Sequence, residues 1–352
     1  MTAVLTLNQK RLYEQAKSIQ DKDKLIVVVK NDAYNFGMDL AFDAFYAAGV
    51  RGFATTNLKE AIELRKKSNQ IMILLLDPST EFDLIRQHNI TLTVPNLSFY
   101  TQYRNELEGI QIQLVFKNLL NRFGFEKASE MITVLDDNHM TVTGIWTHFA
   151  FADELSDLRY DQEKANWVQI LDSLSSYVEN LTYIHAQNSA SYIRDGLLDQ
   201  HTHLRAGVFA YGTRPYIEGL DTGCAKQTIK VSATVKDIIQ ISKGQSAGYS
   251  AAFVAKKDTT LAICDIGYGN GILRSRAKHE VMINGHFYPI AVMMMSHLLI
   301  EVDDGVKTGD KVYLYNDYLR LDDFAAKGVG AFSEQMAGLN HQTFDIQIIP
   351  LE

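Results

Sequence analysis

Lys30 directly follows the apolar run Leu25–Val29 (LIVVV) and precedes Asn31, Asp32, Ala33 and Tyr34. A lysine there is either the solvated end of a strand or a reactive amine. As an amine it condenses with a carbonyl, that of a substrate or that of pyridoxal phosphate. The second use requires an anion cradle and a partner for a ring nitrogen. Asn188-Ser189 opens a short helical pattern and offers backbone N–H groups and a hydroxyl to a phosphate. Gly207 lets backbone approach closely, and Arg205, two residues earlier, can reach a ring nitrogen. Arg122, in Asn121-Arg122-Phe123-Gly124, is a second guanidinium, and His148 and His185 each end an apolar run. Tyr249, in Gly248-Tyr249-Ser250, reads by itself as a turn aromatic. Gly267–Gly271 (GYGNG) looks like a phosphate loop, but no Rossmann unit surrounds it. His201-Thr202-His203 has no carboxylate constellation beside it, so no metal site is expected.

These residues form a site only if the chain brings them to one place. Eight short apolar runs alternate with helical patterns: Leu25–Val29, Gly52–Thr55, Ile71–Leu76, Ile90–Val94, Gln111–Phe116, Val142–His148, Thr182–His185 and Leu204–Tyr211. Runs that are nearly all apolar imply parallel strands covered on both sides. Eight units in about 210 residues favour a closed (β/α)8 barrel over an open doubly wound sheet. In a barrel, chemistry gathers at the C-terminal ends of the strands, where Lys30, His148 and His185 stand, and the eighth run carries Arg205 within it. After Thr228 the pattern changes. Ile229–Ile239 alternates with a period near two, and further short strands follow, joined by Asn284-Gly285 and Asp303-Asp304-Gly305 turns. The expected fold class is α/β, a (β/α)8 barrel over residues 1–228 with a mainly antiparallel β-domain over residues 229–352, the boundary near Asp221–Thr228.

Length agrees, since 352 residues suggest about two domains. With 34 basic against 42 acidic side chains the net charge is −8, which disfavours a nucleic-acid partner. The two cysteines, Cys224 and Cys264, exclude a disulfide scaffold and a four-cysteine zinc site and fit a reducing, cytoplasmic setting. Met1 to Gln9 lacks the features of a signal peptide, and no apolar stretch reaches membrane-helix length.

Six segments, in order, resemble the bacterial alanine racemases: Val28 to Tyr34 their lysine segment, Thr147 to Asp153 their histidine segment, and His185 to Ala190 their phosphate turn. Arg205 to Val208 with Tyr211-Gly212 resembles their arginine strand, Gly248 to Ser250 their tyrosine segment, and Gly267 to Gly271 the loop that follows. The resemblance implies an enzyme that interconverts L- and D-alanine on pyridoxal 5'-phosphate and supplies D-alanine for peptidoglycan. It implies that Lys30 carries the cofactor and is one proton-transfer base. Tyr249 is the other base, reaching the partner subunit of a homodimer. Tyr34, Asn188, Ser189, Gly207 and Val208 hold the phosphate, Arg205 faces the ring nitrogen, and His148 packs near the ring in an Arg205–His148–Tyr249 network. Arg122 and the Met295 backbone N–H meet the substrate carboxylate. Asp153 and Tyr268 line the entrance.

The chain also departs from the family pattern. A lysine, carbamylated in many members, is Val115 here, with Lys117 two places on. Met295-Ser296-His297 stands for the usual Met-Asp, Phe332 for a phosphate-binding tyrosine, and no arginine occurs in Ala291–Met294. A racemase of another small amino acid such as serine, or a non-catalytic pyridoxal-phosphate-binding regulator, are the alternative readings.

Overall fold

A strand with no polar face has nothing to offer water, so it is stable only between two layers. That requirement fixes the first sheet of the computed structural model, which describes residues 3–215 and 225–351. After β1 (Val4–Asn8), the strands β2 (Leu25–Val28), β3 (Gly52–Thr55), β4 (Met72–Leu75), β5 (Thr91–Val94), β6 (Gln111–Val115), β7 (Thr141–Trp146), β8 (Tyr183–His185) and β9 (Leu204–Ala206) follow. The eight from β2 to β9 pair in parallel in chain order, and β2 also pairs with β9. The circle closes where Thr202 N–H donates to Ile184 O and Arg205 N–H to Gln187 O, both at 2.9 Å. Helices connect the strands, and the barrel is a (β/α)8 barrel.

Two places at the C-terminal rim differ from simple strand geometry. The run expected as one strand over Leu204–Tyr211 stops at Ala206, and Val208–Tyr211 form a 3-10 turn. The apolar content that suggested a strand instead buries that turn. After β2, residues Asn31 to Asn35 all have φ between 50° and 63°. Five consecutive left-handed residues cost about 1–2 kcal/mol each, so surrounding contacts must hold them. Ala33 N–H donates to Val29 O at 2.9 Å. Asp32 N–H donates to Glu60 Oε1 at 2.8 Å, and Asp32 Oδ1 accepts from Met38 N–H at 2.7 Å. Asn35 Nδ2 donates to Leu339 O at 2.7 Å, tying the turn to the C-terminal part of the chain. The result is a buried Tyr34 whose hydroxyl lies under Gly207. A Cβ at Gly207 would sit 2.5 Å from Tyr34 Oη, so any larger residue would have to displace that hydroxyl.

The second sheet is built from β10 (Ile229–Ile241), β13 (Thr259–Cys264), β14 (Glu280–Ile283), β15 (His286–Met293), β16 (Leu298–Val302), β17 (Lys311–Tyr315) and β18 (Asp345–Ile349), with a hairpin of β11 (Ser246–Ala247) and β12 (Phe253–Val254) beside it. It is mainly antiparallel, as expected. Its surprise is β1, where the sequence reading placed no strand. β1 lies antiparallel to β10 (Leu5↔Val231) and parallel to β18 (Leu5↔Ile346). Much of the expected boundary, Asp221–Thr228, lies outside the described residues, as does Cys224; Cys264 is a buried free thiol. No helix among the described residues is long and apolar enough to cross a membrane.

A buried carboxylate joins the two parts. Asp322 accepts from Arg214 N–H (2.8 Å) and Nη2 (2.8 Å) and from Arg320 Nε (2.9 Å) and Nη2 (2.7 Å). Burial opposes its ionisation, but the hydrogen bonds from Arg320 and Arg214 prevail and pull the carboxyl down to about 2. A depressed carboxylate pKa contributes stability above the unfolded value and loses it as pH falls through the folded one. Asp322→Asn is therefore expected to reduce unfolding free energy by about 2 kcal/mol at neutral pH, from the pKa shift alone. The difference from the parent should shrink between about pH 4 and pH 2, read from denaturation midpoints; a pH-independent difference would contradict the assignment.

Candidate active site

The C-terminal ends of the barrel strands surround a cavity of about 880 Å³. Lys30 enters it from the end of β2, His148 from beyond β7, Ser189 from beyond β8, and Arg205 from β9. Tyr34, Asn188, Gly207 and Val208 complete the inner wall, and Arg122 and Asp153 the outer part. Five noncontiguous segments thus deliver their polar groups to one volume, as barrel geometry dictates.

Arg205 is 3% exposed and has no carboxylate partner among the described residues. Its Nη2 donates to Thr147 O (2.6 Å), Ala186 O (3.1 Å) and His148 Nδ1 (3.2 Å). Its Nη1 donates to His185 O (3.1 Å) and to His185 Nδ1. The Trp146 ring lies 5.0 Å away in a cation–π contact. None of the protein hydrogen bonds described takes its Nε–H. Burial first, and then the nearby Arg122 charge, pull the guanidinium down to about 9, which still leaves it charged at neutral pH.

A guanidinium only donates, so both histidines that meet it must accept. His148 therefore carries its proton on Nε2 and is neutral. Burial, with Arg205, Arg122 and Lys30 as further causes, holds it well below the ordinary histidine range. His185 is likewise held neutral by burial and by Arg205.

The anion-binding end of the cavity has a different character. Ser189 Oγ accepts from Gly207 N–H and Phe209 N–H, both at 3.2 Å, which joins the β8 and β9 loops. Its own hydroxyl proton stays available. Burial raises the Tyr34 hydroxyl to about 12, so it remains a donor throughout the physiological range. The Asn188 side chain is committed elsewhere: Oδ1 caps the following helix at Ser191 N–H (3.0 Å), and Nδ2 donates to Phe149 O (2.9 Å). Any contribution of Asn188 to a ligand is left to its backbone. Phe332 is in the wall with no hydroxyl to give.

Three residues expected at the site are not in this cavity. Tyr249 is 78% exposed at the turn between β11 and β12. Met295 is 59% exposed just past β15, and Tyr268 sits in the loop against it. They share one place nonetheless. Gly248 abuts Val292 of β15, where a Cβ would meet Cγ1 at 2.7 Å. Tyr268 N–H donates to Met294 O (3.1 Å) and Gly269 N–H to Met295 O (2.8 Å). So the chain carries two groups: an inner set in the barrel mouth and an outer set around the end of β15. The Arg205–His148 link of the expected network is present, and Tyr249 of the same chain does not complete it.

Val115 is buried, while Lys117 Nζ pairs with Glu126 (2.8 Å), so neither supports Arg122, which packs on Phe123 at 5.2 Å. Sequence reasoning missed Glu163. This fully buried carboxylate accepts from Ala150 N–H (2.8 Å) and Phe151 N–H (3.1 Å) and so grips the loop that carries His148 and Asp153. Its helical spacing alone offered no signal, since polar helix positions usually face water. Arg214 and Asp322, also in the wall, were missed as well; the signal was proximity of Arg214 to Tyr211-Gly212.

Comparison with known proteins agrees with this geometry. The family described as alanine racemase, N-terminal domain, matches residues 5–215, and its C-terminal domain matches residues 228–343. Alanine racemase 2 of Staphylococcus aureus (strain Mu50) is 43% identical over 358 residues, covering 99% of this chain and 99% of that protein. Alanine racemase from E. faecalis superposes with a TM-score of 0.88 at 24% identity, covering 99% of this chain and 98% of that one. Alanine racemase from Bartonella henselae with covalently bound pyridoxal phosphate gives 0.87 at 22%, covering 99% and 100%. These two solved structures speak for the fold; the family matches and the full-length relative carry the assignment. The chain belongs to the alanine racemase family.

Proposed function

We propose that this chain interconverts L- and D-alanine with pyridoxal 5'-phosphate as cofactor, working as a homodimer. The observation that carries this is the inner cavity: an amine, two guanidinium groups and a hydroxyl-lined anion end converge at the barrel mouth of a chain that is 43% identical, end to end, to an alanine racemase.

The donor set suits the cofactor. Lys30 supplies the amine to which the aldehyde attaches. Ser189, Tyr34 and the backbone at Val208 and Asn188 suit a phosphate, with Gly207 leaving room beside the Tyr34 hydroxyl. The unused Nε–H of Arg205 suits an unprotonated ring nitrogen, because a guanidinium gives a hydrogen bond without giving up its proton. Bound there, the cofactor acidifies the α-hydrogen of the amino acid attached to it.

The protein then has to move one proton from either face of the α-carbon. Lys30 Nζ serves one face. Tyr249 Oη serves the other, supplied by the second subunit, since in its own chain it stands exposed and outside the cavity. Met295 and Tyr268 travel with Tyr249 on the same outer set, so the partner's contribution includes the entrance as well as the base. Arg122 binds the substrate carboxylate, and neutral His148 links Arg205 to the incoming tyrosine.

Conversion of L-alanine to D-alanine by the purified, cofactor-loaded protein is the direct test; absence of turnover would overturn the proposal. Tyr249→Phe should lower kcat by about 10²- to 10⁴-fold in both directions while the bound cofactor's visible absorbance persists. Tyr34→Phe should weaken cofactor binding about 10- to 100-fold. Because Tyr34 stays protonated until about pH 12, its contribution should be flat from pH 6 to about pH 10, measured by cofactor titration.

A further inference from the structure

Outside the cavity lining, Gln113 of β6 is completely buried. Its Oε1 lies 2.9 Å from His185 Nε2, and its Nε2 has no hydrogen-bond partner. Thr93, its register neighbour on β5, has an unpartnered hydroxyl too. Buried polar atoms without partners are unfavourable and ask for a reason. An apolar side chain would fill the same space without leaving a donor unmet.

The reason lies in what His185 must do. Arg205 Nη1 donates to His185 Nδ1, so that nitrogen must keep its lone pair. The proton then resides on Nε2, where a buried N–H needs an acceptor. Gln113 Oε1 is that acceptor. With the opposite tautomer, an Nδ1–H would point at a guanidinium N–H, and two donors would face each other. The ring plane is fixed independently, since Trp146 stacks on His185 with centroids 6.2 Å apart and planes 14° apart. Trp146 thus sets the orientation and Arg205 sets which nitrogen keeps its lone pair; Gln113 supplies the acceptor that the resulting buried Nε2–H needs.

We propose that Gln113 is a positioning residue: by accepting from His185 Nε2–H it stabilises the tautomer that Arg205 Nη1 requires, and so holds Arg205 in place in the cavity wall. The inference rests on the cofactor reading above only where it concerns cofactor affinity.

The test is histidine-selective ¹⁵N NMR of the full-length protein, first without added cofactor. The His185 signals are assigned by their loss in His185→Asn. In the parent, His185 should be the Nε2–H tautomer. In Gln113→Leu and in the shape-matched Gln113→Met, a population with the proton on Nδ1 should appear. The dissociation constant for pyridoxal phosphate should then rise about tenfold, and kcat for alanine should fall more than KM changes. An Nδ1–H tautomer in the parent overturns the proposal even if both variants fail to fold. Folded variants with a parent-like tautomer and parent-like cofactor affinity also overturn it. If the tautomer follows expectation but pyridoxal phosphate binds neither parent nor variant, the cofactor reading fails and the positioning role of Gln113 stands.

Discussion

A guanidinium buried in a barrel mouth, with only neutral acceptors around it, constrains everything near it. Arg205 meets three backbone carbonyls and two imidazoles. Leaving a charge without an opposite partner in a water-poor place is unfavourable unless dipoles replace the lost water. Here the strand-end carbonyls of Thr147, His185 and Ala186 act as those dipoles, and Trp146 adds its ring face. The arrangement leaves the charge uncancelled, which a carboxylate would not. An anionic or lone-pair-bearing ligand entering the cavity meets a preformed positive field and needs little reorganisation. The histidines pay for this with their basicity: His148 and His185 are both pressed into the neutral form.

The rim is organised by strained backbone as much as by side chains. The left-handed run Asn31–Asn35 lets the chain leave β2 sharply, so that Lys30 faces the cavity and Tyr34 folds back beneath Gly207. Its anchor at Leu339 means that the C-terminal part of the chain helps hold the segment that follows Lys30. A similar economy appears around Tyr249, where Ser250 and Ala251 both have φ of 53°. That tight turn keeps the tyrosine projecting from the protein instead of folding onto its own sheet. Both proton-transfer candidates therefore sit beside backbone that other contacts must hold, as positions selected for chemistry often do.

Much of the inner set was legible in sequence, because the barrel strands stand out as largely apolar runs and the rule about their C-terminal ends then points at Lys30 and His148, with Arg205 inside the last run. The outer set was legible only through family resemblance, since Tyr249 alone looks like any turn aromatic. Long-range pairing was invisible: β1 is five residues whose partners are more than 200 positions away. So was burial of polar side chains. Glu163 and Gln113 lie in segments whose pattern gives no hint that a polar side chain there is enclosed, and their roles come from which nitrogen or amide they face. The Leu204–Tyr211 run shows the opposite failure, an apolar stretch whose burial was evident but whose conformation, broken at Gly207, was not.

The central claim is that a working site combines an inner set from one chain with an outer set from another. Mixing subunits tests it most directly. Chains carrying Lys30→Ala and chains carrying Tyr249→Phe are each expected to be nearly inactive alone. After co-refolding or co-expression in equal amounts, half of the dimers are mixed, and each mixed dimer holds one intact pair. The account predicts recovery to about one quarter of the parent activity per chain. Mixed dimers that form and stay at the level of the two inactive parents would contradict it.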